Sequence, residues 1–117
     1  MELTINIIPI SYYQYLTQNS RRKYITKKGR VYKNDIEEIL VKEMENKDII
    51  KNECKVSLVF YFNNKRKNDI DNYAKPILDF LSDIVYEDDR QIVELNIKKI
   101  YDKNNPRIVI TCSHIDI

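Results

Sequence analysis

Two short stretches, 68–75 and 86–91, carry five carboxylates and a lysine within about two dozen residues. Asp69 and Asp71 are two apart, so both side chains leave the same face of an extended backbone. Asp71 and Lys75 are four apart, one turn from each other on a helix. A chain that turns from extended to helical near Asp71 would gather two carboxylates and an ammonium group. Such carboxylates repel, which raises their pKa values unless something compensates. A hard divalent cation with oxygen ligands, magnesium or manganese, is the simplest compensation.

Basic residues flank this acidic cluster. No acidic residue occurs from Leu3 to Asn34. Basic segments beside an acidic pocket suit a polyanion whose phosphates also ligate the metal, so we expect DNA to contact them. Tyrosines are interspersed among these residues, and they either stack on exposed bases or simply cover the core. The candidate DNA-binding residues are Arg21, Arg22, Lys23, Lys27, Lys28, Arg30 and Lys33, followed by the run Lys65, Arg66 and Lys67.

Length and composition indicate one globular domain over residues 1–117, with 43% apolar and 32% charged residues. No apolar run is long enough to span a bilayer, and no signal peptide is visible, so we expect a cytoplasmic protein without membrane contact. Cys54 and Cys112 lie in apolar strand-like runs and are interpreted as reduced core residues. The ligand spacing of a zinc site is absent from the sequence.

Periodicity predicts a β-α-β-α-β-β order in which the last two strands form a hairpin. The expected fold is α+β, with a two-layer arrangement of a four-stranded mixed sheet packed with two main helices. The predicted strands are Leu3–Ile10, Cys54–Phe62, Gln91–Tyr101 and Arg107–Cys112, and the predicted helices are Asp35–Ile50 and Asp71–Ile84.

The segment Ser11–Lys33 has no clear period. Its Gly29 predicts a turn with positive φ, across which Tyr24–Thr26 and Arg30–Tyr32 could pair weakly. In the second helix, an N-cap at Asp71 would place Pro76 just past the first turn. That position predicts either a bend or a later helix start.

The order Asp-Ile-Asp-Asn-Tyr-Ala-Lys from Asp69, a helix with Asp79, and then Asp-Asp-Arg-Gln from Asp88 resembles the RusA family of Holliday junction resolvases. That family's pattern is Asp-x-Asp-Asn-x-x-Lys, a further Asp on a helix, and Asp-Asp-x-Gln at the start of a strand. The likeness extends over nearly the whole chain. It departs at two places, since Pro9 is followed by Ile-Ser-Tyr-Tyr where the family has asparagines, and Asn68 stands where a basic residue is frequent.

This resemblance implies that Asp69, Asp71 and Asp89 bind Mg²⁺, with Mn²⁺ as a substitute, and that Lys75 is catalytic. Asn72 and Asp88 are weaker candidates that could orient a ligand. Asp79 could equally form a helix-surface ion pair with Lys75.

The implied function is that of an endodeoxyribonuclease that makes paired symmetric nicks in four-way DNA junctions during recombination and repair. Two matched nicks imply a homodimer with a continuous basic face, and the family is common in prophages. The alternatives are a less selective nuclease for flaps or other branched DNA, and a non-catalytic DNA-binding module. The plainest alternative is that the acidic residues are helix caps and loop charges. A calcium loop would need a glycine and a later glutamate that are missing at the required positions.

Overall fold

The strict alternation of residues 54–62 builds the central strand of the molecule. The computed structural model describes residues 1–19, 22–66 and 68–115. Their strands are β1 Glu2–Ile5, β2 Leu16–Asn19, β3 Arg22–Ile25, β4 Cys54–Phe62, β5 Ile92–Tyr101 and β6 Arg107–His114. Their helices are α1 Tyr12–Tyr15, α2 Lys27–Glu43 and α3 Ile70–Leu81, with a 3₁₀ turn at Asp89–Gln91.

The main sheet has the strand order β1-β6-β4-β5, in which β4 and β5 are parallel and the other pairs are antiparallel. The prediction of an α+β fold with a four-stranded mixed sheet is confirmed. The predicted hairpin between the last two strands is wrong, because β4 lies between β5 and β6 and pairs with both. The most apolar strand, β4, thereby has both edges paired. The backbone N–H of Asp102, the residue after β5, donates to the carbonyl of Phe62 at the end of β4.

The core lies between one face of this sheet and the two longer helices. Val56, Leu58 and Phe60 of β4 are buried on that face. Ile36 of α2 and Ile77 of α3 are fully buried in the same cluster. Each such side chain contributes roughly 1.5–3 kcal/mol by burial. This packing holds α3, which carries the acidic motif, against the sheet.

The start of α2 differs from the prediction, because the helix begins at Lys27 and not at Asp35. Thr26 is its N-cap, and the hydroxyl of Thr26 accepts a hydrogen bond of 2.9 Å from the Gly29 backbone. Gly29 is therefore helical, without positive φ, and the predicted turn there is wrong. A Cβ at Gly29 would collide with the carbonyl oxygen of Tyr15 and lie 2.9 Å from its ring. A glycine allows this close approach of α2 to α1.

The predicted pairing of 24–26 with 30–32 is replaced by a separate two-stranded sheet of β2 and β3. The helix also ends earlier than expected, at Glu43 and not Ile50. Asn46, three residues after the last helical residue, adopts a left-handed conformation with φ 66°. The backbone of Ile50 instead bridges to Tyr86.

The helix α3 begins at Ile70, so Asp69 and not Asp71 is its N-cap. Pro76 lies inside the helix, where it removes one backbone hydrogen bond. Other boundaries also differ, since β1 runs from Glu2 to Ile5, β5 begins at Ile92, β6 continues to His114 and α3 ends at Leu81 and not at Ile84. No helix in the described ranges is long and apolar enough to cross a membrane.

Candidate functional site

The N-terminus of α3 presents two carboxylates from positions two residues apart. Asp69 is the N-cap, yet its side chain makes no capping hydrogen bond. Asp71 lies in the first turn, where the positive end of the helix dipole favours a negative charge. Both side chains are exposed. The carboxylate of Asp69 is therefore not used as a helix cap, which leaves its oxygens available to a ligand.

Asp71, Lys75 and Asp79 follow one another at intervals of four residues, so they share one face of α3. Burial and the nearby charge of Asp89 raise the pKa of the Asp79 carboxyl, while the charges of Lys75 and Lys33 lower it. Asp79 and Asp89 are thus close enough to repel each other. Within the described residues, no direct ion pair joins Lys75 to Asp79.

The ammonium group of Lys75 lies over the ring of Tyr12, 4.9 Å from its centroid. Lys23 from β3 also approaches this ring at 5.8 Å and donates a hydrogen bond of 3.3 Å to the Tyr12 hydroxyl. The attraction between a cation and an aromatic face is worth about 0.5–1 kcal/mol at an exposed site. Tyr12 therefore holds a lysine of the basic segment beside the motif lysine.

Asp89 is held in place by two hydroxyl groups. Its Oδ1 accepts hydrogen bonds of 2.8 Å from Tyr86 and 3.0 Å from Ser82. The Tyr86 hydroxyl also lies 3.1 Å from the carbonyl oxygen of Leu78. Burial, and then the hydrogen bond to Asp89, raise the pKa of Tyr86 far above its ordinary value. Tyr86 is therefore a permanent donor that orients Asp89.

The three predicted metal ligands do not form one cluster. Asp89 lies beside Leu78 and Ser82, and Leu78 is seven residues from Asp71 along α3. At about 1.5 Å per residue this separation is roughly 10 Å along the helix axis. Across the residues that the structure describes, no group of three or more His, Cys, Asp or Glu side chains is arranged to hold a metal ion. Asp69 and Asp71 are together at one end of α3, and Asp79 and Asp89 are together towards the other.

Asp88 stabilises the 3₁₀ turn, because its side chain caps the turn in a capping box with Gln91. It also forms an exposed ion pair of 3.3 Å with Arg90. The side-chain amide of Gln91 donates to the carbonyls of Ile50 and Asn52 and so fixes the turn to the preceding loop. These bonds set the position of Asp89. The half-buried Asn72 donates its backbone N–H to the Asp69 carbonyl and so belongs to the first turn of α3.

The basic residues lie on structured elements and not on one loop. Lys27, Lys28 and Arg30 are exposed on the first turns of α2, and Lys33 forms an ion pair of 4.0 Å with Glu37. Lys65 and Arg66 are exposed in the loop before α3. Arg21, Lys67 and the side chain of Arg22 lie outside the described part of the chain.

The tyrosines of the basic segment divide between the two proposed roles. Tyr15 and Tyr32 are buried and pack edge-on against Phe80, so they belong to the core. Tyr13 and Tyr24 are 75% and 46% exposed and remain free to contact a ligand.

No signal in the sequence indicated the contacts that four further residues make in the site: Tyr12, Ser82, Tyr86 and Lys99. Lys99 donates from β5 to the backbone carbonyl of Asn68, directly before Asp69, at 3.1 Å. Lys99 pairs with Phe60 on the buried face of the sheet, and this register is set by the tertiary structure and not by a local signal in the sequence. The tertiary structure alone brings the other three to Asp89 and Lys75.

Comparisons with known proteins identify the family of this chain. The family model "Endodeoxyribonuclease RusA" matches residues 9–113. "Uncharacterized protein YqaN" of Bacillus subtilis (strain 168) is 41% identical over 44 residues, which are 38% of this chain and 30% of that protein. The aligned segment thus spans less than a third of that relative. The family match includes both acidic stretches and the lysine between them, so the chain belongs to the RusA family of endodeoxyribonucleases.

Proposed function

We propose that the protein is a Holliday junction resolvase that hydrolyses phosphodiester bonds in four-way DNA junctions. The observation that carries this proposal is the family match over residues 9–113, which spans every proposed ligand. The geometry supports it, because the Asp69 side chain makes no capping hydrogen bond and directly follows a basic loop, and Lys23 is held beside the motif lysine Lys75. Recombination and repair, including the processing of phage DNA, in the cytoplasm are the proposed setting.

Nucleases of this family depend on a divalent metal ion. We assign Asp69, Asp71 and Asp89 as the residues that would hold it, with Mg²⁺ as the ion and Mn²⁺ as a substitute. The donor set fits, because carboxylate oxygens are the ligands that Mg²⁺ prefers. In the structure Asp69 and Asp71 lie at the start of α3 and Asp89 lies beside Ser82 at its end, so the three carboxylates would have to approach one another to hold a single ion. When bound, the ion polarises the phosphate and lowers the pKa of a bound water.

The chain's own groups supply positioning and charge. Lys75 lies one turn after Asp71 and has no carboxylate in direct contact among the described residues, so its charge is available to the phosphate. We assign it to stabilise the negative charge that develops on the phosphate oxygens. Tyr86 and Ser82 hold the Asp89 carboxylate in one orientation. Asp88 and Asn72 act indirectly, through the backbone around Asp89 and Asp69.

A four-way junction is approximately two-fold symmetric, so two matched nicks need two copies of the site. We propose a homodimer whose basic surface combines Lys23 and the first turns of α2 from both copies. The strand β5 lies at an edge of the described sheet, where Val93 and Leu95 are 51% and 40% exposed. This edge offers apolar surface and unpaired backbone groups to a second copy. Static light scattering of a junction-bound protein that gives the mass of a monomer would refute the dimer.

The test is cleavage of a synthetic mobile four-way junction, end-labelled on each strand in turn, with Mg²⁺ and with EDTA. Paired symmetric nicks that require Mg²⁺, with linear duplex left intact, are the expected result. Equal cleavage of flaps and junctions would indicate the less selective nuclease. Tight binding without nicks in Mg²⁺ or Mn²⁺ would indicate a non-catalytic binding module.

A further inference from the structure

A basic pocket opens beside Asp69, on the side of α3 that faces β5. It has a volume of about 200 Å³ and lies between the loop that follows β4 and the last residues of β5. Its polar lining consists of Asn64, Lys65, Arg66, Asn68, Lys99 and Tyr101. No acidic side chain lines this pocket in the described part of the chain.

The positive charge of the pocket is not neutralised internally. Ion pairs among the described residues involve Lys33, Lys55, Arg90 and Arg107. None of the pocket's three cations, Lys65, Arg66 and Lys99, is among them. Three cations that share one small concave surface repel one another, and an anion is the natural way to relieve that repulsion.

Hydrogen bonds hold the wall of the pocket in a defined shape. The Asn64 side chain accepts from the backbone N–H of Arg66 at 3.0 Å, and the Asn68 amide donates to the carbonyl of Arg66 at 3.0 Å. The hydroxyl of Tyr73, whose ring packs on Phe62, donates to the other end of the Asn68 amide at 3.0 Å. A shape fixed in advance reduces the entropy that a ligand must overcome when it binds.

The pocket contains both groups that a nucleic-acid strand contacts. Its cations suit a phosphate, and the ring of Tyr101 is 45% exposed for contact with a sugar or base. The ammonium group of Lys65 already lies 5.0 Å from the centroid of this ring. The hydrogen bond from Lys99 to the Asn68 carbonyl places the pocket one residue from Asp69.

We propose that this pocket binds a backbone phosphate of the DNA strand that is cut, next to the scissile phosphate, and that Lys99 is its central contact. The inference rests on the proposed function and assigns a phosphate subsite within it. Lys23, which Tyr12 holds beside Lys75, would contact DNA at a second place along α3.

The test compares Lys99→Gln with Lys98→Gln. The two lysines are adjacent on β5, but Lys99 pairs with Phe60 on the buried face and Lys98 pairs with Val59 on the open face. Both substitutions remove one charge from an exposed side chain, so neither should impair folding. In EDTA, Lys99→Gln should weaken junction binding roughly tenfold and reduce the slope of log affinity against log salt by about 1. Lys98→Gln should bind within about twofold of the wild type.

Single methylphosphonate linkages, which are neutral, identify the contacted phosphate. One such linkage beside the cleavage site should weaken the wild type but leave Lys99→Gln unchanged. Equal effects of the two lysine variants, or a methylphosphonate effect that persists in Lys99→Gln, would overturn the subsite. A wild-type protein that neither binds nor nicks junctions would refute the proposed function instead, so the two failures are distinguishable.

Discussion

Replacement of Tyr86 by Phe should remove the hydrogen bond that orients Asp89 while it keeps the packing of the aromatic ring in the core. The ring of Tyr86 is fully buried and is retained in the variant. The lost hydroxyl donates to Asp89 at 2.8 Å and lies 3.1 Å from the carbonyl of Leu78, one of the last four carbonyls of α3. A hydrogen bond to a charged group contributes about 1.5–3 kcal/mol, and an unsatisfied buried carbonyl costs about 1–3 kcal/mol. Since the two acceptors share one hydroxyl proton, we expect the free energy of unfolding to fall by roughly 2–4 kcal/mol.

A loss of this size is smaller than the stability of most domains, so the variant should remain folded. Its nicking activity should change mainly through a weaker response to Mg²⁺. Hydroxyls that orient metal ligands typically contribute 10–100-fold in metal affinity or activity, so junction nicking should require a higher Mg²⁺ concentration. Urea denaturation measures the stability, and a Mg²⁺ titration of the nicking rate measures the functional effect.

Ser82→Ala is the matched comparison, because it removes the other donor to Asp89 at 3.0 Å from a half-buried position. It should shift the Mg²⁺ dependence in the same direction with little loss of stability. A Tyr86→Phe variant that is less stable but nicks with the Mg²⁺ dependence of the wild type would refute the reasoning. The role of the Tyr86 hydroxyl would then be limited to its hydrogen bond to the Leu78 carbonyl near the end of α3.

Three further predictions concern the acidic motif, the contact between α1 and α2, and the cysteines. Asp71→Asn should abolish nicking yet leave junction binding intact, as gel-shift and cleavage assays would show, whereas loss of its circular dichroism spectrum would show that Asp71 is structural. Gly29→Ala should lower the free energy of unfolding in urea by about 1–3 kcal/mol, because the added methyl group collides with Tyr15. The higher helix propensity of alanine offsets only about 1 kcal/mol of this loss. A more stable variant would contradict the contact. Burial raises the pKa of Cys112 to about 12 and also raises that of Cys54. Both thiols should therefore react with a disulfide reagent only after denaturation, and rapid labelling of the native protein would contradict their burial.

The accuracy of the predictions from sequence followed the strength of the local pattern. β4 has the predicted bounds, Cys54–Phe62, because strict alternation of nine residues has only one interpretation. The start of α2 was missed because its first two turns are basic and carry the only glycine, both of which favour a turn when read locally. A packing contact with Tyr15, fourteen residues before Gly29, accounts for the glycine, and no local signal reveals it.

The hairpin between β5 and β6 was predicted from the short connection between them, which is the commonest reason for two strands to pair. The choice of β4 as the partner of both strands depends on the burial of its apolar face, and this is a property of the whole sheet. In the same way, the predicted cap at Asp71 proved wrong by two residues, since Asp69 begins α3.

The sequence by itself determined the kinds of groups available for chemistry and their order, because a carboxylate motif, a lysine one turn later and a second acidic segment are covalent facts. It also determined the family to which the chain belongs. Only the tertiary structure decided which groups meet. Asp89 was brought to Tyr86 and Ser82 beside the later turns of α3, and Lys99 was brought to the residue before Asp69. These pairings depend on how α3 lies across β4 and β5, which is set by burial of their apolar faces and not by the spacing of polar residues along the chain.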